Sequence, residues 1–185
     1  MPAVRRPATA SLRCVASVCA LGIFILGMVP GSTSAASSAS ASLETAGDPV
    51  IAAAGDIACD PADPNFNGGN GTSASCRQRY TSDLLVNRGL AAVLPLGDVQ
   101  YYCGGYNAFL QSYDSSWGRV RHITRPAVGN HEYLTTGGTD CSAANAGAAG
   151  YFRYFGSAAG QQGQAWYSYD IGAWHLIALN SNCTD

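Results

Sequence analysis

The run Leu90-Ala91-Ala92-Val93-Leu94-Pro95-Leu96, closed by Gly97-Asp98, decides how this chain is read. It is uniformly apolar and too short for a helix, which describes a buried strand of the parallel kind. A glycine and a carboxylate end it. The same shape lies upstream, where Val50-Ile51-Ala52-Ala53-Ala54 runs into Gly55-Asp56. It lies downstream as well, where the apolar run over 123–128 leads into Gly129-Asn130-His131-Glu132. Between the first two runs, Ser75 is placed to cap a helix through 76–88, with Tyr80, Leu84 and Leu85 on one face and Gly89 as its stop. Between the second and third, a helical segment is expected around Tyr106 to Trp117, with Phe109, Leu110 and Tyr113 at helical spacing. The pattern β-α-β-α-β predicts an α/β fold with a parallel sheet. Ligands of such sheets bind at the carboxyl ends of the strands, so Asp56, Asp98 and Asn130 would meet at one edge.

The rest of the chain reads differently. Residues 60–72 form a Pro/Asn/Gly loop and residues 137–150 a Gly/Ala/Thr loop, whereas 149–156 are aromatic-rich and suit a helical turn. Trp166-Tyr167-Ser168-Tyr169 and Trp174 to Asn180 predict a hairpin turning over 170–173. On its second strand Trp174, Leu176, Ala178 and Asn180 share one face, and His175, Ile177 and Leu179 the other. No internal repeat is present.

Composition bounds the function. The 185 residues carry 12% charged side chains and a formal net charge of −2, and every basic residue is an arginine. Arg5, Arg6 and Arg13 precede an uncharged run from Cys14 to Val29. Pro30-Gly31 and a Ser/Ala tract containing Ala39-Ser40-Ala41 follow. Basic start, apolar middle and small-residue end are the order of a signal peptide. The expected leader is 1–41, cleaved near Ala41, with Ala35 and Ala36 as rival sites, and the domain is 42–185. The apolar run is short of the ~20 residues that span a bilayer. A membrane anchor with a Ser/Ala stalk is the rival reading; otherwise the membrane enters only during export.

Beyond the leader, 7 arginines face 12 acidic residues. That is the wrong sign for a protein that grips nucleic-acid phosphates. Cys59, Cys76, Cys103, Cys141 and Cys183 are expected to form disulfides in the oxidising compartment that export implies. Five is odd, so one thiol lacks a mate within the chain.

Taken together, Gly55-Asp56, Gly97-Asp98-x-x-Tyr101 and Gly129-Asn130-His131-Glu132 resemble the calcineurin-like metallophosphoesterase superfamily, in its purple acid phosphatase-like branch. Leu179-Asn180-Ser181 after the WYSYD…WH hairpin is similar to that branch too. The resemblance spans about Val50 to Asn182 and implies the calcineurin-like sandwich. It implies a secreted phosphoric ester hydrolase that cleaves phosphate monoesters through a metal-bound hydroxide. Two metal ions would be held by Asp56, Asp98 as the bridge, Tyr101 and Asn130, with His131 stabilising the phosphate or protonating the leaving oxygen. The first block lacks the histidine of Asp-x-His, since Asp56-Ile57-Ala58 stands there, and Tyr101 sits where the branch keeps a tyrosinate. Fe(III) is therefore expected at the Tyr101 site, with Fe, Zn or Mn at the second.

The family completes its site with three further histidines, one isolated and two in a Gly-His-x-His block. This chain has only His122, His131 and His175, and no such block. The chain is accordingly expected to be the N-terminal part of a longer catalytic domain, truncated at its C-terminus and inactive alone. A phosphodiesterase or nucleotidase on the same metal core is one alternative. A non-catalytic, disulfide-stapled extracellular binding domain is another. Taken singly, Asp56 and Asp98 are ordinary residues for a turn after a strand, and Tyr101 an ordinary half-buried aromatic. Glu132 is expected to hold its loop, His122 to lie on the surface, and His175 to pack or hydrogen-bond within the hairpin. Arg77, Arg79 and Arg153 are candidates for touching phosphate without a committed role.

Overall fold

The computed structural model describes residues 47–182, so the leader, its cleavage site and Cys183 lie outside the described residues. Strand β1 (Ile51–Ala54) pairs in parallel with β2 (Ala92–Pro95), in register from Ile51 opposite Ala92 to Ala54 opposite Pro95. The third apolar run lies on the far side of β2, joined by two parallel bridges, Val93 to Thr124 and Leu96 to Ala127. There Arg125 N–H donates to Val93 O at 2.8 Å and Ala127 N–H to Pro95 O at 2.7 Å. Pro126 falls between these two donors with its backbone turned away from β2, so its missing N–H costs this pairing nothing, and its carbonyl accepts from the Tyr151 and Tyr167 hydroxyls at 3.0 and 2.8 Å. The third run is bridged to β2 without becoming the strand expected there, and β2 lies centrally between β1 and this segment.

Position in the sheet decides burial. Val93 in β2 is fully buried, whereas Ile51 in β1 is 42% exposed. The expectation of a buried first strand is thus corrected. Its residues are apolar, but β1 is an edge with one neighbour, and along it exposed and half-buried positions alternate.

The first helix is also shorter than expected. It is α1 (Gln78–Asp83), and Ser75 does not cap it, because Cys76 sits at φ +60° in a disulfide with Cys59. A residue in that left-handed conformation cannot belong to a right-handed helix. Leu85 is buried, but Tyr80 and Leu84 are exposed, so the three do not form one core face. Gly89, at φ +66°, is not the helix stop expected of it, because α1 already ends at Asp83 and turns fill 84–87, with Asn87 left-handed at φ +58°. The second helical segment begins as α2 (Tyr106–Ala108) and continues in a wider turn over Phe109–Tyr113. Leu110 is exposed. Short 3-10 turns then cover Trp117–Ile123.

Helix α3 (Ala149–Phe155) brings the aromatic-rich segment against α2 and its extension. Phe109 stacks on Tyr154 with ring centroids 4.7 Å apart, and Tyr113 and Phe155 meet these rings edge-on. Such stacked and edge-to-face pairs add roughly 0.5–1.5 kcal/mol each beyond the area they bury. Val93, Val99, Val120 and Val128 extend this core beneath the parallel sheet.

The hairpin forms from β3 (Tyr167–Ile171) and β4 (Trp174–Ala178), antiparallel, with Ile171 opposite Trp174. The turn is only Gly172-Ala173, tighter than the four residues expected. Gly172, at φ +58°, supplies the left-handed residue that a two-residue turn needs. Leu176 and Ala178 are half-buried, and Ile177 and Leu179 are exposed.

Four of the five cysteines pair, Cys59 with Cys76 and Cys103 with Cys141. Both disulfides point to an oxidising, extracellular-like environment. Among the described residues no helix is long and apolar enough to cross a membrane. The molecule is thus a mixed α/β domain with one small parallel and one antiparallel sheet.

Candidate metal centre

Both parallel strands end in the same local shape. Asp56 and Asp98 each follow a glycine and sit in the left-handed region, at φ +54° and +48°. Asp is one of the few side chains that tolerate this region. The backbones of the two turns run side by side, with Ile57 N–H donating to Asp98 O at 3.1 Å and Ala58 N–H to Val99 O at 3.1 Å.

Tyr101, one helical turn's worth of residues after Asp98, closes the arrangement. Its hydroxyl donates to Asp56 Oδ1 in a short hydrogen bond and lies 3.5 Å from Asp98 Oδ2. One phenol oxygen therefore sits between two carboxylates from different strands. Burial pushes the phenol well above its ordinary value, and the hydrogen bond to Asp56 and the charge of Asp98 push it further. Gln100, fully buried, fixes the start of this segment by donating from Nε2 to Cys59 O and Tyr101 O at 2.9 and 2.8 Å.

The third block meets the second through Glu132. Its carboxylate is fully buried and accepts four backbone N–H groups: Asp98 at 3.1 Å, Val99 at 2.7 Å, Gln100 at 3.2 Å and Gly129 at 2.8 Å. Burial raises its carboxyl above the ordinary range, opposed by the N–H groups of Gly129, Gln100 and Val99, which favour the ionised form. Expected to hold its own loop, Glu132 holds the Asp98 loop as well. The close approach also requires glycine at 129. A Cβ there would stand 2.2 Å from both Asp98 N and Asp98 Oδ1.

His131 is placed by the same contact. Its backbone N–H donates to Asp98 Oδ1 at 3.0 Å, and its ring meets Tyr101 edge-on with centroids 4.4 Å apart. His131 Nδ1 lies 2.8 Å from Tyr102 O. A carbonyl only accepts, so Nδ1 carries the proton and Nε2 is the ring's remaining polar atom. Asn130 begins the turn that carries His131. Its side chain is exposed and makes no hydrogen bond to Asp56, Asp98 or Tyr101 among the described residues.

The structure thus gathers Asp56, Asp98, Tyr101 and His131, and places Asn130 at the next residue. His175 stands apart, hydrogen-bonded to its cross-strand partner Asp170 at 2.7 Å on the exposed hairpin. His122 is exposed and lines no part of this cluster. Arg153 lies over the Tyr106 ring at 3.7 Å. Sequence reasoning missed three buried side chains that shape the loops. Gln100 is one, and Asp60 is another, its carboxylate accepting from Thr139 N and Thr139 Oγ1, both at 2.6 Å. Asn145 is the third, donating from Nδ2 to Cys103 O and to Leu134 O at 3.1 Å, while its Oδ1 accepts from Gly150 N–H at 2.8 Å.

The donor set fits a hard cation. The Tyr101 phenol oxygen lies within 3.5 Å of a carboxylate oxygen of both Asp56 and Asp98, and oxygen donors suit hard divalent and trivalent ions. A second grouping, Cys59, Asp63 and Cys76, also brings ligand atoms within 4.8 Å. Its two sulfurs are joined as a disulfide, so they offer no thiolate. No protein-family model, curated protein or solved structure matches the chain.

Proposed function

We propose that this chain carries metal ligands of an exported phosphoric ester hydrolase that cleaves phosphate monoesters. The reading places it with the purple acid phosphatase-like branch of the calcineurin-like metallophosphoesterases, whose sandwich would contain the parallel sheet and the hairpin. Export through the N-terminal segment, with cleavage near Ala41, belongs to the same reading. The observation that carries it is the Tyr101 hydroxyl held between the carboxylates of Asp56 and Asp98.

Asp56, Asp98 and Tyr101 would hold the first cation, Fe(III) by the hardness of a phenolate donor, and Asp98 with Asn130 the second, as Fe, Zn or Mn. Such a pair supplies Lewis acidity toward phosphoryl oxygens and a more acidic water. The chain's own residues do the rest. Glu132 fixes the backbone on both sides of Asp98, so the bridging carboxylate needs no reordering when ligands arrive. Tyr102 O fixes the His131 tautomer and so leaves Nε2 as the atom that meets the ester. Protonated, Nε2 donates a hydrogen bond to a phosphoryl oxygen or a proton to the leaving oxygen.

The test is metal-dependent phosphate binding by the chain. With Fe(III) and Zn(II) supplied, inorganic phosphate should bind more tightly than without metal. Any hydrolysis of 4-nitrophenyl phosphate should require metal and disappear in Asp98→Ala. Phosphate affinity indifferent to metal, or turnover that survives Asp98→Ala, overturns the reading.

A further inference from the structure

A cavity of about 320 Å³ opens beside the carboxylate pair. It shares Asp56 and Tyr101 with the metal centre, and its other walls come from Ala54, Ile57, the Cys59–Cys76 disulfide, Ala74, Ser75, Arg77 and Trp117. A group seated there is next to whatever Asp56 and Tyr101 hold. The volume sits at the lower end of the range of roughly 300–1,000 Å³ typical of small-molecule sites, enough for one ring-sized group.

The charge inside is uneven. Among the described residues, Asp56 is the one acidic side chain that lines the cavity and Arg77 the one cationic side chain. Arg77 forms no ion pair among the described residues. Arg77 is exposed, and its guanidinium rests 4.2 Å over the exposed ring of Tyr80, which is not one of the cavity's walls. The arm thus stands at the cavity's rim, and its backbone follows directly on disulfide-bonded Cys76. The arm is therefore anchored at its base and stacked along one side, with its donor fork unmatched by any carboxylate. A guanidinium is always charged and matches carboxylate or phosphate in a two-pronged geometry.

Resting on the phosphoesterase reading, we propose that this cavity receives the organic part of the ester and that Arg77 binds a second anionic group on it. The preferred substrates are then ring-sized phosphate monoesters that also bear a carboxylate or a second phosphate. Esters of neutral or cationic alcohols gain nothing from Arg77.

Affinity measurements on the metal-loaded 185-residue chain test this without relying on turnover. The ligands are inorganic phosphate, phenyl phosphate, 4-carboxyphenyl phosphate, glucose 6-phosphate and glucose 1,6-bisphosphate. The second anion should tighten binding by about tenfold, as a charge-assisted hydrogen bond provides. A gain confined to the aryl pair identifies the carboxylate as the group recognised, and a gain confined to the sugar pair identifies the phosphate. Arg77→Met should bring the ratio to about one, and Arg77→Lys should restore part of it. Ala74→Trp, which narrows the cavity from an exposed position, should weaken ring-sized esters relative to inorganic phosphate. The proposal is overturned if the second anion gives no gain, if Arg77→Met keeps the gain, or if Arg77→Met weakens inorganic phosphate by the same factor. Metal-independent binding of inorganic phosphate would instead overturn the phosphoesterase reading and this inference with it.

Discussion

The two aspartate turns have the same local sequence and backbone shape, yet they are held by different means. The Asp98 turn leaves the central strand and is clamped from behind by Glu132, whose buried carboxylate takes four N–H groups from two loops. The Asp56 turn leaves an edge strand. Its backbone leans on that of its neighbour, and its side chain is exposed and tied through the Tyr101 hydroxyl. Under the proposed reading Asp98 would bridge two cations, and such a group gains from a rigid mount, because misplacement would be felt on both sides. A terminal ligand tolerates a looser one. The contrast teaches that a repeated Gly-Asp motif fixes where a carboxylate is delivered, whereas long-range partners fix how firmly.

The largest expected effect separates the two acids. Glu132→Ala strips four buried N–H groups of their acceptor and should destabilise the domain by about 3–5 kcal/mol in denaturant unfolding. Asp56→Asn, at an exposed turn and with a side chain that also tolerates the left-handed region, should cost less than about 1 kcal/mol. Equal losses would break the comparison.

Next are the disulfides, one near each turn. Cys59–Cys76 closes a loop with a sequence separation of 17 and Cys103–Cys141 one of 38. In the chain-entropy model, replacing both cysteines by serine should cost about 3 kcal/mol for the first and about 4 for the second. Thermal unfolding of the two double variants checks the order, and a reversed order would show that the edge depends on its staple more than the centre does.

The smallest effect concerns the glycines. Gly129→Ala forces a Cβ within 2.2 Å of Asp98 N and should cost about 1–3 kcal/mol as the clamp spreads. At Gly55 the nearest atom to an added Cβ is Gly97 O at 3.4 Å, so Gly55→Ala should change stability by no more than about 0.5 kcal/mol. Unfolding midpoints for the pair sharpen the contrast.

Much of this frame was legible in the sequence because it rests on local pattern. Apolar runs ending in Gly-polar pairs marked the parallel segments, and Trp166 to Asn180 marked the hairpin. Edge and centre could not be told apart, since Ile51 and Val93 are equally apolar and their burial depends on what stands beside them. Helix α1 was overdrawn at both ends: at its start the left-handed Cys76 is tied to Cys59, a partner that spacing alone left open, and beyond Asp83 the chain passes through turns to a left-handed Asn87. The clamp was the least legible part. Glu132 reaches backbone groups 32 to 34 residues away, and Asp60 reaches Thr139 across 79. Such bonds leave no periodic trace. Asp56, Asp98, Tyr101 and His131 were nameable from the motifs, and the structure sets them together.

Titration of the chain with Fe(III), followed by visible absorption, tests most directly whether Asp56, Asp98 and Tyr101 form one cation site. The account predicts a phenolate-to-iron band that grows to one equivalent, vanishes in Tyr101→Phe and weakens in Asp56→Ala. No band, or one that Tyr101→Phe leaves intact, would contradict it.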